Sequence, residues 1–204
     1  MPHRWPNSGA LSTMPELHHV GVQAVIPKII LAAFLFLPGL FALGAGPGPE
    51  AIATRNSSRS GPDFVSYVGL SDELHTLAGR ADVVVNALPL TPETTGLFDK
   101  AFFAAVKPGA LFVSVGRGKS TVTADLIAAL ESGRVYGAGL DVTDPEPLPE
   151  QSPLWRMPNV IVTPHSSAAG GDSLRRGAII AAENLRRYVA GEALLNTVNM
   201  QAGY

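Results

Sequence analysis

The hydrophobic pattern divides the chain into two unlike parts. From residue 50 onward, short apolar runs alternate with amphipathic stretches at regular intervals. The runs cover 51–54, 82–88, 111–115, 137–142 and 160–163. They are apolar along nearly their whole length. A strand covered on both faces reads this way, which predicts a parallel sheet. Helices are predicted between them. The segment 71–78 opens on Ser71 with Glu73 behind it. The segment 98–106 is stopped by Lys107-Pro108-Gly109, and 123–132 opens on Thr123 and stops at Gly133. A last helix is predicted over 172–189, ending near Gly191. Strand–helix alternation predicts βαβ units in a doubly wound sheet.

The first part lacks this rhythm. Residues 1–15 are rich in Pro, Gly and Ser and read as a loose tail. The stretch 25–46, VIPKIILAAFLFLPGLFALGAG, carries no charge after Lys28 and has Pro38-Gly39 in its middle. It reads as a buried helix–turn piece, with a membrane-associated segment as the alternative; its late start speaks against a signal peptide. The expectation is an α/β chain with two regions. Residues 1–48 form an atypical N-terminal tail and hydrophobic segment. Residues 49–204 form a partial dinucleotide-binding domain, an incomplete Rossmann-like doubly wound parallel sheet.

Composition narrows the function classes. Hydrophobic residues make up 46% and charged residues 16%, a globular rather than a disordered balance. The net charge of −2 lacks the basic excess that phosphate backbones demand, so no nucleic-acid partner is expected. Without cysteine there is neither a disulfide framework nor a thiolate metal site, which fits a cytoplasmic protein, and no metal is expected.

In doubly wound sheets, ligands bind at the carboxyl ends of the strands. Three residues at predicted strand ends could carry chemistry. Arg117 follows an apolar run and lies between Gly116 and Gly118. Glycines allow close backbone approach, and the guanidinium fork matches a carboxylate. The plainer alternative is a surface arginine in a glycine turn. His165, in TPHSSA, follows the last run. Histidine exchanges a proton near neutral pH, although a lone histidine is often structural. Glu146, in LDVTDPEP, could support an imidazole, since a nearby carboxylate stabilises the protonated ring. Its alternative is a solvated loop residue. Together, a carboxylate clamp, a proton donor and an orienting carboxylate suit hydride reduction of a 2-oxo acid, or the reverse.

The segments ADVVVNALPLTPETTGLFD, KPGALFVSVGRG, GAGLDVTDPEPLP and NVIVTPHSSAA resemble, in order and spacing, the dinucleotide-binding domain of the D-isomer-specific 2-hydroxyacid dehydrogenases. The resemblance runs over about 60–199. It implies an NAD(P)-dependent oxidoreductase acting on the CH–OH group of a small 2-hydroxy acid. Arg117 would bind substrate, His165 would donate or accept the proton, and Glu146 would be its partner. Leu88 and Pro89 match the loop beside the cofactor. Val115 and Gly116 match the backbone along the nicotinamide ribose, and Asp141 matches the carboxylate near the nicotinamide amide. Ser166, Ser167 and Ala168 follow the histidine near the ring. Arg55 falls where the family's second strand ends, by the adenosine ribose. An arginine there suits the 2′-phosphate of NADP, whereas an acidic residue would suit NAD. The family also implies a homodimer.

Two departures stand out. No G-x-G-x-x-G turn precedes Arg55; Gly44, Gly46 and Gly48 are spaced by two, but Pro47 and Pro49 follow. The family's separate substrate domain has only a short, atypical counterpart here. The expectation is a truncated or disrupted copy that has lost the first strand and helix, leaving a sheet edge and apolar helix faces exposed. The alternative function is a catalytically inactive remnant acting as a binding or oligomerisation module.

Overall fold

The computed structural model describes residues 29–32, 50–56, 58–167, 173–198 and 200. Seven strands form one sheet: β1 (Ile29–Ala32), β2 (Glu50–Arg55), β3 (Val65–Leu70), β4 (Val83–Asn86), β5 (Ala110–Ser114), β6 (Val135–Leu140) and β7 (Val160–Val162). Their order is β3-β2-β1-β4-β5-β6-β7, and every pairing is parallel. Chain order reverses between β1 and β4, which makes their carboxyl ends the crevice where such sheets take ligands.

This corrects the expectation that the first strand is lost. Ile29–Ala32 pairs with β2 on one side and β4 on the other, so the sheet begins inside the segment assigned to the N-terminal extension. A central parallel strand is covered on both faces and is apolar throughout. Its pattern therefore cannot be told from a buried helix or a membrane segment. The membrane alternative for 25–46 falls mostly outside the described residues; the four that are described, 29–32, are paired in the sheet and not in a helix. Among the described residues no helix is long and apolar enough to cross a membrane. The strand β3 also escaped the pattern; its first half, Ser66 and Tyr67, is exposed and only Val68 and Gly69 are buried, so it lacks the continuous apolar run of its neighbours.

The α-helices among the described residues are α1 (Leu74–Ala78), α2 (Lys100–Ala105), α3 (Thr123–Glu131) and α4 (Ser173–Ala190). Local chemistry sets their ends. The Asp99 carboxylate accepts the Phe102 amide at 2.9 Å and caps α2. Gly133 (φ +72°) and Gly191 (φ +71°) take the left-handed conformation just past α3 and α4. Phe98, Phe102, Phe103 and Phe112 are buried and meet edge-to-face, with Phe98 and Phe102 centroids 4.8 Å apart. Such pairs add about 0.5–1.5 kcal/mol beyond burial. They lock α2 onto β5 and so fix the base on which the β5 loop stands. No residue of α4 is buried, and Leu174, Leu185, Tyr188 and Val189 lie open to solvent.

Candidate active site

The loops after β4, β5, β6 and β7 converge because each strand end is stitched to the next. Val115 N–H donates to the Asn86 carbonyl, Asp141 N–H to that of Ser114, and Thr163 N–H to that of Leu140, each at 2.9 Å. Parallel pairing thus carries the side-by-side arrangement past the strands and into the loops.

The β4 loop carries Leu88 and Pro89, and the β5 loop carries Val115, Gly116 and Arg117. Gly116 lies flat against the first of these: a Cβ there would sit 2.7 Å from the Leu88 carbonyl oxygen. The β5 loop also touches the β6 loop. A Cβ on Gly118 would lie 1.8 Å from the Thr143 oxygen. Glycines flanking Arg117 were read as giving a ligand close approach to the backbone; their observed role is close approach of one loop to another. Arg117 is exposed, and its Nη1 donates to the Gly116 carbonyl at 2.8 Å.

Asp141 ends β6 and is 6% exposed. Its Oδ1 accepts from the Thr163 hydroxyl at 2.6 Å and the Ser166 amide at 2.8 Å, and its Oδ2 accepts from the Ser167 amide at 2.8 Å. Burial pushes this carboxyl up. The Ser167 and Thr163 hydroxyls and the two amides outweigh burial and hold it well below the usual carboxylate range. A buried carboxylate with these donors is a tether, and it fastens the turn after β7 to the end of β6.

That turn carries His165. Its φ of +51° is uncommon for a residue with a side chain, and its amide donates to the Thr163 carbonyl at 3.0 Å. The left-handed backbone brings Nδ1 to 2.7 Å from Glu146 Oε1. Both side chains remain about two-fifths exposed, so a ligand can reach the ring. With Nδ1 occupied by the carboxylate, Nε2 is the atom left to exchange a proton.

Glu146 and His165 are therefore in contact. Arg117 stands on the neighbouring loop, which packs against Thr143 of the Glu146 loop. Arg55 lies at the far side of the crevice, at the end of β2, with Nη1 donating to the Ser60 carbonyl at 2.7 Å. Near it, Arg59 pairs with Glu73 at 2.6 Å, and Glu73 also accepts from the Tyr67 hydroxyl. These bonds hold the Glu73 carboxyl at about 2. Ala168, and the glycine-rich turn sought between β1 and β2, lie outside the described residues. No cluster of metal-ligating side chains occurs among the described residues. Three residues escaped the sequence reading: Asn86, Ser120 and Thr163. An amide closing the apolar run VVVN was the available signal, since a buried amide must find partners.

A parallel sheet that reverses order at β1 and β4, with an acid–base pair at its carboxyl ends, defines a Rossmann-type dinucleotide-binding domain. Residues 45–167 match the NAD-binding domain of the D-isomer-specific 2-hydroxyacid dehydrogenases. The chain belongs to that family. It is 44% identical over 129 residues to glyoxylate/hydroxypyruvate reductase B of Citrobacter koseri, a match covering 63% of this chain and 40% of that protein. An uncharacterised Corynebacterium melassecola protein is 38% identical over 155 residues, covering 76% of this chain and 51% of its own length. The chain thus spans about half or less of the curated relatives it matches. A family member from Xanthobacter autotrophicus, solved with NADPH and MES, superposes with a TM-score of 0.77 at 37% identity over 86% of this chain and 72% of that one. The glyoxylate/hydroxypyruvate reductase of Sinorhizobium meliloti, solved with NADP and sulfate, gives 0.73 at 33% identity over 86% and 57%.

Proposed function

We propose that the chain reduces a small 2-oxo acid of the glyoxylate or hydroxypyruvate class with NADPH, and oxidises the corresponding 2-hydroxy acid in reverse. The observation that carries this reading is the contact between His165 and Glu146 beside the Arg117 loop. A bound nicotinamide supplies the hydride. The protein's own part is positional and protic. Arg117 grips the substrate carboxylate through its planar fork and polarises the carbonyl. In reduction the His165 imidazolium, steadied by Glu146, gives its Nε2 proton to the carbonyl oxygen as that oxygen gains charge and is left neutral; in the reverse oxidation the neutral ring takes the hydroxyl proton and Glu146 steadies the imidazolium that forms.

The residues present fit the cofactor. Gly116 brings the Val115–Gly116 backbone flush with the Leu88 backbone, which suits two loops that together would line a bound dinucleotide. Arg55 ends β2 with no acidic residue in its place, which suits a 2′-phosphate. Asp141, with both oxygens engaged, serves the nicotinamide end by holding Ser166 and Ser167 in place. The relatives solved with NADPH and NADP support the same choice.

The test is to follow NADPH oxidation by the purified chain with glyoxylate, hydroxypyruvate and pyruvate, alongside Arg117→Ala. Turnover that vanishes in the variant supports the reading. Unaltered turnover in the variant overturns it.

A second reading is a self-associating module, in line with the homodimer that the family implies. It is favoured by the open apolar side chains of α4. Sedimentation of the chain as a concentration-independent monomer ends that reading.

A further inference from the structure

Asn86, Ser114 and Ser120 are polar, come from separate segments, and are all essentially sealed from solvent, at 0%, 1% and 0% exposure. A buried amide is tolerated only when its hydrogen bonds are made. Here they are. Asn86 Nδ2 donates to Ser114 Oγ at 3.0 Å and to Ser120 Oγ at 2.8 Å, and Asn86 Oδ1 accepts the Leu88 amide at 3.1 Å. The Ser120 hydroxyl then donates to the Arg117 carbonyl at 2.7 Å, and the Ser120 amide reaches the same oxygen at 3.1 Å. The Ser120 carbonyl in turn accepts the Phe98 amide at 2.9 Å, which anchors Ser120 to the aromatic core.

The amide does something an apolar side chain could not. It ties the loop after β4 to Ser120 in the turn after β5, three residues beyond Arg117. The glycines on both sides of Arg117 supply no side chain to hold the turn by packing. The Arg117 carbonyl is nevertheless held by two bonds from Ser120, itself held by Asn86. A fully satisfied buried network has one geometry.

We propose that Ser120, anchored by Asn86, is the positioning residue for Arg117: it fixes the main chain from which the guanidinium reaches the substrate carboxylate. The proposal rests on the reading of Arg117 as the substrate clamp. It assigns to Ser114 a different standing, since Ser114 shares the amide but has no bond to Arg117.

Ser120→Ala and Ser114→Ala therefore separate positioning from plain stability. Each deletes one buried bond to Asn86, and both are expected to lower the melting temperature, Ser120→Ala the more because it also loses the hydroxyl bond to the Arg117 carbonyl. Only Ser120→Ala is expected to speed amide hydrogen exchange over residues 118–121 and to raise the KM for glyoxylate, each by roughly tenfold, as loss of a hydrogen bond would. Its affinity for NADPH is expected to stay within about twofold, far less than the loss of one hydrogen bond. Equal exchange in the two variants, or unchanged exchange in Ser120→Ala, overturns the proposal. Should Ser120→Ala not fold, Ser120→Cys keeps the size with a weaker donor, and a smaller shift in the same direction is expected. A parent chain that turns over no 2-oxo acid refutes the clamp reading, while the exchange comparison still decides whether Ser120 sets the Arg117 backbone.

Discussion

Gly118 and the Thr143 carbonyl approach so closely that a Cβ on the glycine would lie 1.8 Å from the oxygen. The contact is backbone on backbone, so no side chain can rotate away. It presses the Arg117 loop onto the loop that carries Glu146. Gly118→Ala is expected to force the two loops apart. Overpacking costs about 1–3 kcal/mol where neighbours can adjust; here the loss should reach at least the upper end. Urea denaturation checks the stability, and NADPH-linked turnover should fall with it.

The pair His165–Glu146 makes a sharper distinction. His165→Asn is expected to lower kcat by about 10²–10⁴, the usual worth of a positioned acid–base group, with little change in NADPH affinity. Glu146→Gln keeps a hydrogen-bonding partner for Nδ1 but removes the charge that supports the imidazolium. Its kcat should fall less, roughly tenfold, since one charge-assisted bond becomes an ordinary one. Steady-state kinetics on both variants would show this order, and equal turnover in His165→Asn and the parent would remove histidine from the mechanism.

Asp141 links stability to pH. Its carboxyl lies below its ordinary value of 3.8 in the folded chain. The sign follows: its contribution is complete above that value and is lost as pH falls through the lower, folded value. Asp141→Ala removes the acceptor of two hydroxyls and two amides. Hydrogen bonds to a charged group contribute about 1.5–3 kcal/mol each, so a loss of at least about 2 kcal/mol is expected at neutral pH. The gap between parent and variant should narrow below pH 3.8. Denaturant titrations at neutral and acidic pH measure it; a gap that widens on acidification would contradict the tether.

Arg55 concerns cofactor choice. Arg55→Ala is expected to weaken NADPH binding about 10- to 100-fold, the loss of one charge-assisted bond, while NADH binding stays nearly constant. Fluorescence titration with the two cofactors reads the difference directly.

Much of this site was legible before any coordinates. The apolar runs from residue 82 onward read as buried parallel strands, and their ends hold Arg117, Glu146 and His165. The reason is that parallel strands display their chemistry at one end, so the pattern points at the site. What stayed hidden has physical causes. β1 is apolar on both faces and leaves no periodic trace. β3 is exposed in its first half, where Ser66 and Tyr67 break the apolar run that marks its neighbours. The network of Asn86, Ser114 and Ser120 joins residues distant in sequence, and spacing says nothing about such contacts. The glycines beside Arg117 were recognised as permissive, but the partner each one admits, Leu88 or Thr143, appears only in three dimensions.

The placement of β1 has one more consequence. β2 and β4 are not paired with each other; each is bonded to β1, so among the described residues a four-residue strand joins the two wings of the sheet. Residues 29–32, from the least regular part of the chain by composition, thus close the sheet down its middle. A shortened form starting after Ala32 would present two bare strand edges facing one another across a missing rung. Such edges invite any passing strand to fill them.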